Sequence, residues 1–429
     1  MVSEQLKEEL YYLSMASTPS EIITIWKLFD EVNKDKSLII SLNNYANKIY
    51  PNELQSAICT SDSHFIPYFE TDRLYFLDNI LLKEMDGNNH YNVTFPIDYS
   101  VMLDTNYSSY INNFVNNDNH FIGHNVSNEV YTSFDILLRH DYNFDHMFYI
   151  IENYINSLRS IELENSNLLT DIRQNLASLE LFKNIDKNSY VNKGLIQYRI
   201  TKEDAYKNAD HIINEIYTSF GGKEMMEQIF LNYHKSMVLL LIGILAIRFD
   251  TKDVLPKKMD NLFNYSDTVL GLYLDREMVI ACKYFSHPQD IQIINKINKG
   301  MSAEKLYKSI ENIAWDFTVP RIMEFFSITI REGRFFIPFF LSNDFNLRCL
   351  LRQYKVKGLI YSKEKLNLVP IPSIYTEDYF KSKGYIVDTS YFSSVSQYKR
   401  NKIYRNNQEN GFNIIKDEFK KLTYIMNCK

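Results

Sequence analysis

Apolar residues recur every three or four positions along most of the chain, which is the period of an amphipathic helix. Leu6, Leu10, Tyr11 and Leu13 lie near that spacing. Ser20-Glu21 can open a second helix that carries Ile22, Ile25 and Leu28. Residues 161–300 read as helix almost throughout, with breaks at 185–195, 220–222, 250–256 and 286–289. Residues 303–331 read as one long helix, which Pro320 should kink because it removes a backbone donor. Three short segments depart from this period. Residues 97–103, 334–341 and 356–361 are dense in apolar and β-favouring side chains and have the length of buried strands. Helices are expected after the first two, over 107–115 and 345–351.

This order of elements gives an α/β fold class within a predominantly helical chain. Residues 96–160 and 303–361 would supply the two parts of the sheet-bearing core, and 161–302 would form a large helical insertion between them. Residues 1–95 read as an N-terminal helical region and 362–429 as a C-terminal extension. With 45% apolar and 23% charged residues, the composition excludes wholesale disorder. The formal charge of −6 argues against a protein that coats nucleic acid with its whole surface, though not against one that grips it locally. Cys59, Cys282, Cys349 and Cys428 form no CxxC pair, so neither a zinc ribbon nor a disulfide framework is expected. The first residues, MVSEQLKEELYYL, lack the layout of a signal peptide. The longest apolar run, 237–247, falls short of the ~20 residues that a bilayer needs. The expectation is a cytoplasmic protein.

The candidate chemistry lies in four acids. Two strands end alike, in a polar turn with an Asp before a helix: Leu103-Asp104-Thr105-Asn106 and Leu341-Ser342-Asn343-Asp344. On neighbouring parallel strands these acids would meet at one sheet edge, where open α/β sheets bind ligands. Asp316 sits inside an apolar helix, in Ala314-Trp315-Asp316-Phe317, and Glu152 is bracketed by apolar side chains. Buried carboxylates are expensive unless they are paired or neutralised. The bland alternatives are helix capping for Asp104 and Asp344, a salt bridge to Arg321 for Asp316, and an ordinary polar helix position for Glu152. If the four converge, oxygen-only ligation favours a hard ion, Mg²⁺ or Mn²⁺.

These segments together resemble the acidic motifs of PIN-domain nucleases, in particular the larger, divergent PIN-like proteins of bacteria. The resemblance implies a PIN-like core with a parallel central sheet and a metal-dependent endoribonuclease, with toxin or antiviral defence activity as the setting. It implies metal ligation by Asp104, Asp316 and Asp344. Glu152 would complete the cluster or orient the attacking water, and Thr105, Asn106 and Asn343 would make secondary polar contacts. Asp275 or Glu277 could replace Glu152, since a long helical stretch separates Glu152 from Asp316. The expected substrate is RNA, with DNA as the alternative. A protein partner or inhibitor could dock on the helical extensions.

Other patterns are weaker. His120 and His124 are four apart but lie in a loop-like stretch, and Arg139 and His146 have the spacing seen in HEPN ribonucleases. Lys399, Arg400, Lys402 and Arg405, interleaved with Tyr398 and Tyr404, form the densest basic and aromatic patch and could contact RNA. The competing reading of the whole chain is a non-catalytic helical interaction subunit of a defence or toxin complex.

Overall fold

The segment Phe-Phe-Ile-Pro-Phe-Phe-Leu, 335–341, is buried at every position. A continuous apolar run of this kind suits a strand covered on both faces. In the computed structural model it is the second strand of a four-stranded mixed sheet. The structure describes residues 4–427 apart from 61, 88–93, 118–119, 121–122, 124–125, 141, 156–165, 251 and 330–333.

Among the described residues there are eight strands: β1 Ser37–Ser41, β2 Phe65–Pro67, β3 Leu74–Asp78, β4 Ile97–Leu103, β5 Phe144–Asp145, β6 Phe335–Leu341, β7 Val356–Ser362 and β8 Asn367–Pro372. One sheet has the order β2-β6-β4-β5. Strands β4 and β6 run parallel and in register from Ile97 beside Phe335 to Leu103 beside Leu341. Strand β5 is parallel to β4, and β2 joins the far side of β6 in the antiparallel sense. Pro338 is tolerated because β2 pairs only with residues 339–341.

The second sheet, β3-β1-β7-β8, is antiparallel throughout. The N-terminal helices Glu4–Met15 and Pro19–Leu28 cover it, burying Leu13, Ile22 and Trp26 against Leu38 and Ile40. The Trp26 indole is satisfied by Asn79 Oδ1 at 2.7 Å.

The fold is therefore α/β and mostly helical, but the sheet expectation needs three corrections. The sheet carrying the parallel strands is mixed. A second sheet exists. Residues 1–95, read as helical, supply β1, β2 and β3. These strands have three to five residues, too few for their alternation to stand out between helices. Residues 362–429 are equally part of the fold, because β8 closes the second sheet and the helix Ser394–Asn427 packs on Leu231–Asp250. The second helix is capped by Thr18, two residues before the expected Ser20, in a capping box with Glu21. The helix Ala303–Thr329 runs through Pro320.

The segment 161–302 is built into the same core. Its helix Ser166–Lys183 packs on Thr105–Asn116, and its helix Leu231–Asp250 packs on Ala303–Thr329. Residues 220–250 form a stretch long and apolar enough to cross a membrane, longer than the run 237–247 suggested. Yet 83% of its most apolar window is buried inside the molecule. This burial is what a central core helix of a soluble protein shows.

Candidate active site

Because β4 and β6 are parallel and in register, the residues that follow them emerge at one edge. Strand β4 lies between β5 and β6, and the chain passes from β5 to β6 on the other side of β4. Such a reversal opens a crevice beyond the strand ends. The Asp104 amide donates to the Leu341 carbonyl at 3.1 Å and ties the two ends together.

Asp104 is buried and caps the helix Thr105–Asn116, accepting from the Tyr107 amide at 2.8 Å. Burial pushes its carboxyl up to about 6. Hydrogen bonds from the Ser342 hydroxyl and the Tyr107 amide oppose the rise, and nearby Asp344 adds to it. Asp344 caps the helix Phe345–Leu351, its Oδ1 accepting from the amides of Asn346 at 2.7 Å and Leu347 at 3.1 Å. Among the described residues, its Oδ2 accepts no hydrogen bond. The capping readings of both aspartates hold, and capping leaves oxygen free on Asp344.

Glu152 lies on Met147–Asn153, the helix that follows β5. Its carboxylate accepts a hydrogen bond from the Thr105 hydroxyl. Burial raises it to about 7, with the Thr105 bond opposing and Asp104 assisting. Asp316 enters from the helix Ala303–Thr329. Burial holds its carboxyl well above the usual carboxylate range, and Asp344, Glu152 and Asp104 each push it further, against Lys296. Aromatic packing fixes this helix against the sheet. Trp315 meets Phe148 edge-on at 6.3 Å between ring centroids, and Phe148 lies 4.8 Å from Phe340.

The four expected acids are thus brought together from four separate segments. Among the described residues, none of them forms an ion pair, and Asp316 has no hydrogen bond either. Asn343 donates to the Tyr110 hydroxyl at 2.9 Å, and the Asn106 amide supports Asp104. Ser342, bonded both to Asp104 and to the Asp344 amide at 3.0 Å, was not among the expected site residues. Its only signal was its place beside Asn343 and Asp344.

Several other expectations need correction. Arg321 does not pair with Asp316. It bonds Glu277, and it reaches Glu324 at 3.1 Å. Glu277 is fully buried in that ion-pair network. Asp275 accepts from the hydroxyls of Tyr273, Tyr354 and Thr376, so neither residue replaces Glu152. Removing the Glu277 carboxylate leaves the guanidiniums of Arg276 and Arg321 sharing Glu324 alone. Glu277→Ala should lower unfolding free energy by about 3 kcal/mol in denaturant titrations. Divalent-ion binding at the four acids should be unchanged.

Arg400 is buried, bonds Asp267 at 2.6 Å and lies 4.1 Å over the Tyr391 ring, so it is not available to RNA. Lys399, Lys402 and Arg405 are exposed. Arg139 is held by Asp135 at 2.7 Å, and burial pushes the His146 imidazole down to about 3. These two do not form a HEPN-like pair. His120 is bonded to the Phe114 carbonyl at 3.0 Å, and His124 lies outside the described residues.

Among the described residues, no three His, Cys, Asp or Glu side chains are drawn into a ready metal shell. Asp104, Glu152 and Asp316 feel neighbouring acids through space, but the four do not share ligand-distance geometry. Two features nonetheless fit a hard divalent ion. The donors are all carboxylate oxygens, and desolvation, with smaller contributions from neighbouring acids, raises the carboxyls of Asp104, Glu152 and Asp316, a cost that a bound cation would offset. The chain matches no protein-family profile, and comparisons with curated proteins and with solved structures gave no match.

Proposed function

We propose that the chain is a metal-dependent phosphodiesterase whose ion is held by carboxylates at the ends of parallel strands. More particularly, it is proposed to be an endoribonuclease of PIN-like type. The observation that carries this reading is Asp316, a half-buried carboxyl in an apolar helix, without a hydrogen bond or ion pair among the described residues and raised first by desolvation and then by Asp344, Glu152 and Asp104. An acid so placed is costly for a scaffold and useful in a site. The pair Asp104 and Asp344 on neighbouring parallel strands supports the PIN-like resemblance. Strand β2 and the second sheet lie outside it.

Asp104, Asp344 and Asp316 would hold Mg²⁺ or Mn²⁺. The ion, when bound, supplies an acidified water and a positive charge for the phosphate oxygens. The protein's own part is positional and protonic. The two helix caps fix Asp104 and Asp344, and Trp315 fixes the helix bearing Asp316. The Thr105 hydroxyl orients Glu152, whose carboxyl near 7 is matched to taking a proton from water at neutral pH. The proposed setting is a bacterial toxin or antiviral defence effector in the cytoplasm, with the helical regions docking a partner or inhibitor.

The test is cleavage of a labelled oligoribonucleotide by the purified chain with Mn²⁺, with Mg²⁺ and with EDTA. Cleavage that requires the ion and yields internal cuts is expected. An inert protein whose melting temperature ignores both ions would favour the non-catalytic interaction subunit.

A further inference from the structure

We propose that the face around Lys283 binds the phosphates of single-stranded RNA and leads the strand to the acid cluster. Its direction rests on the nuclease reading, but its chemistry does not.

Two adjoining cavities of about 240 and 330 Å³ share Lys283, Gln353 and Tyr379 as walls. Arg352 and Lys355 complete one, and Lys383 and His287 line the other. Among the described residues, Asp290 is the only carboxylate in either wall. Four permanent cations therefore face one acid, in a chain whose overall charge is −6. Among the described residues, none of the four forms a salt bridge. The Lys283 ammonium donates to the Gln353 carbonyl at 2.5 Å. Burial lowers its proton affinity, Lys383 and Lys355 lower it further, and Asp290 opposes them. Gathered cations that repel one another are stabilised by a polyanion.

Two observations favour RNA over an acidic protein. The helix Phe345–Leu351 joins this face to the acids, with Asp344 as its first cap and Arg352 as its last. Phe345 and Arg352 are seven residues apart, so they share one helix face about 10 Å in length. Phe345 is 57% exposed directly after Asp344, and Tyr379 stands between the lysines, so bases have aromatic rings to stack on.

The experiment measures binding of a short fluorescent oligouridylate to the full chain in EDTA by anisotropy, across a salt series. Lys283→Gln, Lys355→Gln and Lys383→Gln combined should weaken binding at least ~30-fold and flatten the salt slope by about 2. Lys202→Gln, Lys223→Gln and Lys257→Gln combined remove the same charge from exposed positions elsewhere and should change binding less than about twofold. Melting temperatures near the parent's confirm that both variants fold. Absent binding by the parent, or equal effects of the two triples, overturns the proposal. Tighter binding of an oligothymidylate overturns the assignment to RNA. Displacement by polyglutamate as effective as that by unlabelled RNA assigns the face to an acidic protein instead. Lysine-dependent binding without any cleavage would sink the nuclease reading and keep this one. Cleavage with unaltered binding by the lysine triple would do the reverse.

Discussion

Asp316→Asn should reduce Mn²⁺-dependent RNA cleavage by about 1,000-fold or more while raising the melting temperature of the metal-free protein. The two effects have one cause. Asparagine keeps the shape of the side chain but cannot carry the charge that neutralises a divalent ion or its ligand shell. Loss of one electrostatic contact to a developing transition state typically costs about 100- to 1,000-fold in rate, and loss of a metal ligand belongs at the upper end. In the metal-free protein the same charge is a burden, because desolvation first and then Asp344, Glu152 and Asp104 act to suppress it. Removing it relieves repulsion in the folded state. A purely structural aspartate would behave oppositely, losing stability on substitution and leaving cleavage untouched. Initial rates with the labelled oligoribonucleotide and a thermal melt in EDTA check both halves. Unchanged cleavage together with a lowered melting temperature would remove Asp316 from the site.

The acids were legible in the sequence because each lies in a local context that identifies it. Asp104 and Asp344 follow apolar runs and precede helices, a pattern that fixes both strand end and cap. Asp316 stands out as a charge among Ala314, Trp315 and Phe317. The parallel pairing of β4 with β6 was less visible, since more than two hundred residues separate the strands and no local signal sets their register. The antiparallel second sheet was not visible at all. Its strands β1 and β3 have five residues each, and β7 and β8 belong to it only through long-range pairing. Arg321 shows the limit in another way. Its five-residue distance from Asp316 suggested a pair, but the helix turns it toward Glu277 and Glu324 instead. The basic face around Lys283 draws Arg352, Lys355 and Lys383 from separate elements, so no run of charge announced it. The contiguous run Lys399-Arg400 did announce itself, and one of its members is buried against Asp267.

The site's carboxyls should cost the metal-free protein stability as pH rises from about 4 to beyond 7, against the opposite contribution of the buried His64 and His146, and Mn²⁺ should offset that cost. Glu152 ordinarily titrates at 4.5 but is raised to about 7 in the fold, and Asp104 is raised from 3.8 to about 6. For a raised carboxyl, the folded state binds the proton more tightly than the unfolded state. Its favourable contribution is complete below the unfolded value and disappears as pH climbs through the folded one. Each group accounts for a change on the order of 3 kcal/mol across that window. A divalent ion takes the place of the protons, so its binding strengthens with pH and stabilises the fold most where the free protein is weakest. Glu9, a buried acid far from these in sequence and also raised to about 6, contributes to the same slope. The comparison that isolates the site is therefore the difference between the parent and Glu152→Gln or Asp104→Asn. Denaturant titrations at pH 5 and pH 8, with and without Mn²⁺, should show each metal-free variant gaining stability relative to the parent as pH rises, and a smaller gain from the ion. If both variants keep the parent's slope, the pH dependence belongs to Glu9 and the other buried acids, and the four carboxyls do not act as one cation-seeking cluster.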